Sequence, residues 1–426
     1  MSALLPGDFV MNEESYTRDV TVEDILSHRS GLPSHDNSYL SPRATHPDTA
    51  KTVTQNLRNL PLAAPIRTKY MYCNMMLTVA THLIEELTST TFESFLHTRV
   101  FSKLGMNSTH LQPGAAIKAG LKDRMSTPYA WDERSKAFIA LPYEEGPEMQ
   151  GAGGIITSVN DYALWIRELI HHEGTVISED LYNGILRPRI LENPDATDED
   201  LPPFSSWEAY ATGFETYFYR GYRIVRHDGL IGGFGTTHFF VPAIKFGGAI
   251  FANSGETGNS AAVLLMRELV DEALGIPEDQ RSDWKGWQAK TDEESATERE
   301  EEHKKLREEL CPPGEERQPH KMPLNAYTGS YFNAGYHGLV VQVQGEKLFI
   351  DASDRSMGFT LTLEHMCSGK TFLAHLQDAA DPTDTDQLKA EFQCEGDRAL
   401  KMGLHLEADL DDLIWFDRVD AMGSEY

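Results

Sequence analysis

Two short segments of this chain carry side chains that could move protons or hold a carbonyl group. Tyr72-Cys73-Asn74 opens an amphipathic helix, and His227-Asp228-Gly229 precedes a glycine-rich stretch that ends at Gly235. A serine hydroxyl is a poor nucleophile at neutral pH, and tyrosine and histidine are groups that can exchange protons with one. Each segment alone is a weak signal, because Asn74 could equally cap the helix while Tyr72 packs against it.

The order of the surrounding segments strengthens the signal. Three more elements accompany the first two along the chain: Leu26-Ser27-His28-Arg29-Ser30-Gly31-Leu32, Gly153-Gly154-Ile155-Ile156-Thr157-Ser158 with Asp161, and Phe251-Ala252-Asn253. With these five elements in this order, the chain resembles the β-lactamase and penicillin-binding-protein-like serine hydrolases. That group includes esterases, D-aminopeptidases and transesterases.

The resemblance implies a role for each candidate residue. Tyr72 would be the general base or proton relay, and Asn74 would be a donor that orients the substrate. His227 would assist the proton path from the Lys/His-x-Gly motif of the family. Gly229 would leave the strand edge open for substrate, and the backbone amide of Leu230 just after it would help to hold an oxyanion. The implied reaction is attack on an ester, amide or lactam carbonyl of a small-molecule or peptide substrate through an acyl-serine. No cofactor is implied.

The nucleophile of that family is missing from its expected place. The family carries a Ser-x-x-Lys element several tens of residues before the Ser-Gly-Leu segment, and residues 1–26 contain none. Ser15 is followed by Arg18, and arginine stays protonated, so it cannot act as a base. The literal match Ser282-Asp283-Trp284-Lys285 falls far from Tyr72 in the order of motifs, and we interpret it as chance.

Three other serines lie within the matching segments, and each is expected to serve a cap or a turn instead: Ser27, Ser30 and Ser158. Two hypotheses follow. The chain is a hydrolase that lacks its N-terminal part, which would leave an apolar face and an unpaired strand edge. Alternatively, it is a non-catalytic relative that binds or regulates. Retention of Tyr72 and His227 favours the first hypothesis.

Composition limits the classes of partner. The chain has 38 basic and 66 acidic residues and a net charge of -28, which disfavours nucleic acids and anionic membranes. No apolar run reaches the roughly 18 residues of a membrane span, and no secretory signal is evident at the start. We therefore expect a cytoplasmic protein. The four cysteines are too few for a disulfide framework, and no motif predicts a metal site.

The pattern along the chain predicts an α+β fold followed by an all-β unit. Residues 1–275 would form the β-lactamase-like domain, an antiparallel sheet with covering helices. Its strands are predicted at Tyr222–His227, Thr236–Val241 and Phe246–Phe251, and a helix at Ala261–Leu274.

Residues 276–322 are predicted to form an acidic helical linker. Residues 323–420 contain about eight short strands, the pattern of a small closed or nearly closed β-barrel. The opening Tyr327-Thr328-Gly329-Ser330-Tyr331 resembles lipocalin-like barrels appended to some members of the same hydrolase group. A homo-oligomer could form through this barrel.

Overall fold

The computed structural model describes residues 1–172, 174–314, 322–367 and 370–419. It contains an α+β unit with a six-stranded sheet, a closed β-barrel, and a long helix between them. Both predicted fold classes are thus confirmed. Among these described residues, no helix has the length and apolar character needed to cross a bilayer.

The helices lie in the first three quarters of the chain, and several begin at side-chain caps. Thr21 and Asp24 form a capping box, and Thr91 and Ser158 cap later helices with their hydroxyls. The helices are α1 Glu14–Asp19, α2 Val22–Leu26, α3 Ala50–Asn56, α4 Asn74–Thr88, α5 Phe92–Leu96, α6 Ser102–Leu104, α7 Pro113–Lys118, α8 Val159–His171, α9 Glu179–Ile185, α10 Glu256–Ala273 and α11 Trp284–Leu310. A π-helical turn, His97–Phe101, joins α5 to α6. Short 3₁₀ turns lie at Asp36–Ser38, Leu57–Asn59, Lys122–Arg124, Pro147–Met149, Pro242–Ile244, Glu278–Gln280 and Leu324–Ala326.

The first domain contains two small sheets and one large one. β1 (His110–Leu111) pairs with β4 (Ile155–Ile156), and β2 (Tyr129–Asp132) pairs with β3 (Ala137–Ala140). The large sheet is an antiparallel meander in the order β10-β9-β8-β7-β6-β5. Its strands are β5 Ile190–Leu191, β6 Ala209–Tyr210, β7 Glu215–Tyr219, β8 Tyr222–Ile231, β9 Phe234–Val241 and β10 Phe246–Ala252.

Strand alternation divides the large sheet into two faces. Successive side chains of a strand point to opposite sides, so Ile224 and Val225 of β8 belong to different cores. Ile224 packs in a cluster with Met266 of α10, whereas Val225 packs with Ile166 of α8. His227 has the parity of Val225 and therefore lies on the α8 face of the sheet.

The predicted strands are present, but the first is longer than predicted. β8 continues to Ile231 instead of ending at His227, because Gly229 and Leu230 still pair with Thr236 and Gly235 of β9. The predicted end at His227 is therefore wrong, since the glycine-rich segment forms the end of a hairpin rather than a loop. The helix predicted from Ala261 begins earlier, at Glu256.

The C-terminal unit is a closed, antiparallel eight-stranded barrel in which each strand pairs with the next and the last pairs with the first. This up-and-down closure is the lipocalin type of architecture. Alternate residues of each strand fill its interior, among them the buried Tyr331, Phe392 and Phe416. The strands are β11 Gly329–Asn333, β12 His337–Gln344, β13 Lys347–Ala352, β14 Phe359–His365, β15 Thr371–Asp378, β16 Thr385–Glu395, β17 Arg398–Leu404 and β18 Ile414–Val419.

Loops of the barrel pack against the segment that follows α2. Glu407 is buried and accepts hydrogen bonds from the Ser34 hydroxyl at 3.1 Å and the His35 backbone N–H at 2.7 Å. The ring of His35 also contacts the Tyr336 hydroxyl, at 2.7 Å. Leu40 forms an isolated bridge with Arg355. The barrel is therefore joined to the first domain by buried polar contacts close to Asp36.

Helix α11 lies between the two units and contacts both of them. Its ends are buried, at Trp284 beside α10 and at Leu310 beside the barrel, while most of its length is exposed. Cys311, which ends α11, forms a disulfide with Cys367. The predicted bounds of the three regions stay predictions, and their positions 315–321 and 420 lie outside the described residues.

Candidate active site

The fold brings the two motifs together although they are far apart in the sequence. Tyr72 lies directly before α4, and His227 lies on the α8 face of β8. Their ring centroids are 6.4 Å apart. The side chain of Tyr72 is 39% exposed, but burial of its hydroxyl still raises its pKa to about 12. Within the described residues, this hydroxyl has no hydrogen-bond partner.

Two residues that the sequence reasoning missed connect these motifs. Tyr210 of β6 places its Oη 3.2 Å from Nε2 of His28 and 3.1 Å from Nε2 of His227. The other ring nitrogen of His28, Nδ1, accepts the backbone N–H of Cys73 at 3.0 Å. His28 lies within the Ser-Gly-Leu motif segment, so its position was a usable signal. Tyr210 lies in a two-residue strand and had none.

His28 and Tyr210 are held in an apolar, aromatic environment. Both are buried. The centroid of the His28 ring lies 4.1 Å from that of Tyr72 and 4.7 Å from that of Tyr210. Burial, with a smaller effect of His227, lowers the pKa of His28 to about 3. Burial also raises the pKa of Tyr210 far above its usual range. His28 is therefore a neutral imidazole and Tyr210 a neutral phenol at physiological pH.

Asn74 contacts a carboxyl group that the sequence did not indicate. Its Nδ2 lies 3.3 and 3.4 Å from the two carboxyl oxygens of Asp36. Burial raises the pKa of Asp36 to about 7, and the barrel residue Glu407 adds to that rise. Asp36 thus titrates near neutral pH, which is a property of many groups at functional sites. This contact also brings the barrel close to the candidate site.

Gly229 and Leu230 lie at the hairpin end of β8. A Cβ on Gly229 would meet Oγ1 of Thr236 at 2.4 Å, so the glycine permits close packing across the hairpin. The Leu230 side chain is 56% exposed. Gly153, from the predicted Gly-Gly element, lies near Ile231, because a Cβ there would be 3.9 Å from the Ile231 side chain. The Gly-Gly element and the end of the strand that carries His227 therefore lie side by side.

The serines that could replace the missing nucleophile have structural roles. Ser27 donates to the Glu23 carbonyl at 2.6 Å, and Ser30 accepts from the Leu32 N–H at 3.3 Å. Ser158 accepts the Asp161 N–H as a helix cap. In the described part of the chain, no serine hydroxyl hydrogen-bonds to Tyr72 or His227.

Ser282, the serine of the literal Ser-x-x-Lys match, lies on the wrong side of the sheet for catalysis at His227. Two residues further on, Trp284 packs with Ile224 and Met266 on the α10 face. A cavity of about 240 Å³ on that face is lined by Arg226, Glu208 and Glu192. Because Arg226 and His227 are adjacent in β8, this cavity is separated from the candidate site by the sheet.

Comparison with known proteins decides the family. A family model described as Beta-lactamase matches residues 2–271. The chain belongs to the β-lactamase family. A second model, Domain of unknown function (DUF3471), matches residues 314–418, which include all of the barrel strands except Val419.

Relatives of this chain include two Aspergillus proteins that are named as hydrolases. "Unguisins hydrolase ungD" of Aspergillus violaceofuscus is 34% identical over 87% of this chain and 67% of its own length. "Unguisins hydrolase ungD'" of Aspergillus campestris is 31% identical over 97% of this chain and 76% of its own length. Among solved structures, the octameric penicillin-binding protein homologue from Pyrococcus abyssi aligns with a TM-score of 0.53 at 18% identity, covering 96% of this chain and 81% of that one. This last similarity shows a shared fold.

Proposed function

We propose that this protein is a β-lactamase-like serine hydrolase or acyltransferase that acts on ester, amide or lactam carbonyls through an acyl-serine intermediate. The observation that carries the proposal is the proximity of Tyr72 and His227, whose ring centroids are 6.4 Å apart. The free Tyr72 hydroxyl is the group that would exchange a proton with the serine. Gly229 and the Leu230 amide would border the carbonyl group.

The proposed reaction needs a serine nucleophile, and residues 1–26 lack the expected one. A Ser-x-x-Lys element is absent there, and the serines nearest the motifs have other hydrogen bonds. We propose that the chain 1–426 alone does not turn over substrate, because no serine hydroxyl of the described residues hydrogen-bonds to Tyr72 or His227. Finding a Ser-x-x-Lys encoded in frame upstream of the Met1 codon would support this proposal. A native start at Met1 would contradict the hydrolase and favour the non-catalytic binding module.

The relatives suggest a substrate class. Two proteins that are at least 31% identical to this chain are named unguisins hydrolases. We therefore propose an unguisin-type substrate as the first to test. Hydrolysis of an unguisin by a nucleophile-complete form of the protein, followed by mass spectrometry, would support this choice. Hydrolysis of simple esters without any effect on unguisins would exclude it.

A non-catalytic binding module is the second candidate function. One observation favours it: Asn74, the residue that would orient a substrate, already contacts Asp36 of its own chain. An active-serine fluorophosphonate probe separates the candidates when it is applied to protein purified from its native source. Labelling of one serine at one-to-one stoichiometry supports the hydrolase, and no labelling of a correctly folded protein supports the binding module.

A further inference from the structure

A continuous series of hydrogen bonds connects the Tyr72-Cys73-Asn74 element to the His227-Asp228-Gly229 strand. It begins where the backbone N–H of Cys73 meets Nδ1 of His28 at 3.0 Å. A backbone N–H can only donate, so Nδ1 of His28 must be the acceptor and carry no hydrogen. The hydrogen of the neutral ring therefore lies on Nε2, which faces Tyr210 Oη at 3.2 Å.

At the other end of this series, a separate hydrogen bond determines which ring nitrogen of His227 carries the hydrogen. Nδ1 of His227 lies 2.6 Å from the backbone carbonyl oxygen of Asp228. A carbonyl oxygen can only accept, so Nδ1 of His227 carries a hydrogen. In the neutral ring, Nε2 of His227 is then a bare acceptor, and it lies 3.1 Å from Tyr210 Oη.

The hydroxyl of Tyr210 satisfies both ends at once. It accepts from Nε2 of His28 and donates its own hydrogen to Nε2 of His227. A cationic His227 would instead point a second N–H at the same oxygen and leave the Tyr210 hydrogen without its acceptor. The phenol is almost fully buried, so water does not easily replace that acceptor.

The other ionisable groups around His227 do not change this assignment. Tyr72 lies 6.4 Å away between ring centroids and makes no hydrogen bond with it. His238 of β9 stacks parallel to it at 6.4 Å, and burial, with smaller effects of His227 and Arg226, lowers the pKa of His238 to about 3. Arg226 and Asp228 flank it on the same strand and form an ion pair with each other on the opposite face of the sheet.

We propose that Tyr210 is a positioning residue that holds His227 as a neutral imidazole protonated at Nδ1 and links its orientation to the start of α4. His227 then offers no positive charge to a substrate, and its Nε2 is not free to act as a base. The proton path would start at Tyr72, with His227 as an oriented neutral neighbour. This catalytic meaning rests on the proposed function, whereas the tautomer itself does not.

Nitrogen-15 NMR of the histidine rings tests the proposal without any turnover. The full chain would be labelled with ¹⁵N and its ring signals assigned by comparison with His28→Asn and His227→Asn variants. We expect opposite tautomers at about one pH unit above the ordinary histidine pKa of about 6.5. His28 should show hydrogen on Nε2, and His227 should show it on Nδ1. A cationic His227, or one protonated at Nε2, would overturn the proposal.

Two matched variants test the part played by Tyr210. Tyr210→Phe should shift the Nε2 signals of both His28 and His227 and leave the Nδ1 signals near their original positions. Tyr70→Phe is the control, because the Tyr70 ring packs 5.4 Å from the Tyr210 ring without joining the series. Unchanged Nε2 signals in Tyr210→Phe would refute the role of Tyr210. If that variant does not fold, the tautomers of the unmodified chain still decide the assignment.

If the proposed function is wrong but the positioning role of Tyr210 is right, the two experiments give different answers. Opposite tautomers together with no active-serine labelling of the native protein would uphold the positioning role and reject the hydrolase.

Discussion

His28 holds the start of α4 from two sides. Its ring Nδ1 accepts the N–H of Cys73 at 3.0 Å, and its backbone carbonyl accepts the N–H of Met71 at 2.8 Å. His28 adopts a left-handed backbone conformation, with φ at 53°. This conformation turns both acceptors towards the same short segment. The position of Tyr72, which lies between the two bonded amides, therefore depends on one buried histidine.

Replacement of His28 by alanine should destabilise the domain. The change leaves the buried Cys73 N–H without an acceptor and opens a cavity, so we expect a loss of about 2–4 kcal/mol in the free energy of unfolding. Urea denaturation would measure it, with His46→Ala as the control because His46 is exposed. Equal effects of the two variants would contradict the role of His28.

The buried Asp36 should make stability depend on pH near neutrality. Its pKa is about 7 in the folded protein against an ordinary value of 3.8, chiefly because of burial. The folded state therefore binds this proton more tightly, and the contribution of Asp36 to stability falls as the pH rises from about 4 to 7. Asp36→Asn should remove that part of the slope when urea midpoints are measured across this window. Parallel curves for the two proteins would contradict the assignment.

The barrel should stabilise the segment that carries Asp36. Glu407→Gln replaces a buried carboxylate that accepts from Ser34 and His35, so we expect a loss of about 1–3 kcal/mol. Glu395→Gln is the matched control, because Glu395 is an exposed barrel residue. Thermal unfolding followed by calorimetry would measure both. Equally small losses of stability in Glu407→Gln and Glu395→Gln would contradict a stabilising role of these contacts.

Two glycines at the hairpin should differ in their tolerance of a methyl group. A Cβ on Gly235 would meet backbone atoms of Asn259 and Gly255 at 2.3 and 2.5 Å, which cannot move easily. On Gly229 the nearest atom is the Thr236 hydroxyl, and a side chain can rotate away. Gly235→Ala should therefore lower the free energy of unfolding by about 1–3 kcal/mol more than Gly229→Ala in chemical denaturation. The reverse order would contradict the packing described for this hairpin.

Local patterns in the sequence predicted much of the fold. The amphipathic pattern that begins at Asn74 predicted α4, because that signal depends on residues within one or two turns. Alternating short runs after Pro323 predicted the barrel for the same reason. The family motifs also predicted that Tyr72 and His227 would share a site.

The contacts that complete the site could not be predicted in this way. His28 and Tyr210 are separated by 182 positions, and Tyr210 lies in a strand of two residues with no pattern of its own. The contact between Asp36 and Asn74 joins two segments that are 38 positions apart in the sequence. Such contacts follow from packing between distant segments, which a single sequence does not display.

The central claim is that Tyr72 and His227 belong to an acyl-transfer site whose serine nucleophile residues 1–426 do not supply. The most direct test extends the chain with an upstream segment that carries Ser-x-x-Lys from a β-lactamase-family relative and treats it with a fluorophosphonate probe. We expect labelling of the added serine at one-to-one stoichiometry, a strong decrease with Tyr72→Phe, and no labelling of the chain 1–426 alone. Stoichiometric labelling of a serine within residues 1–426, or labelling of the extended chain that is indifferent to Tyr72, would contradict the claim.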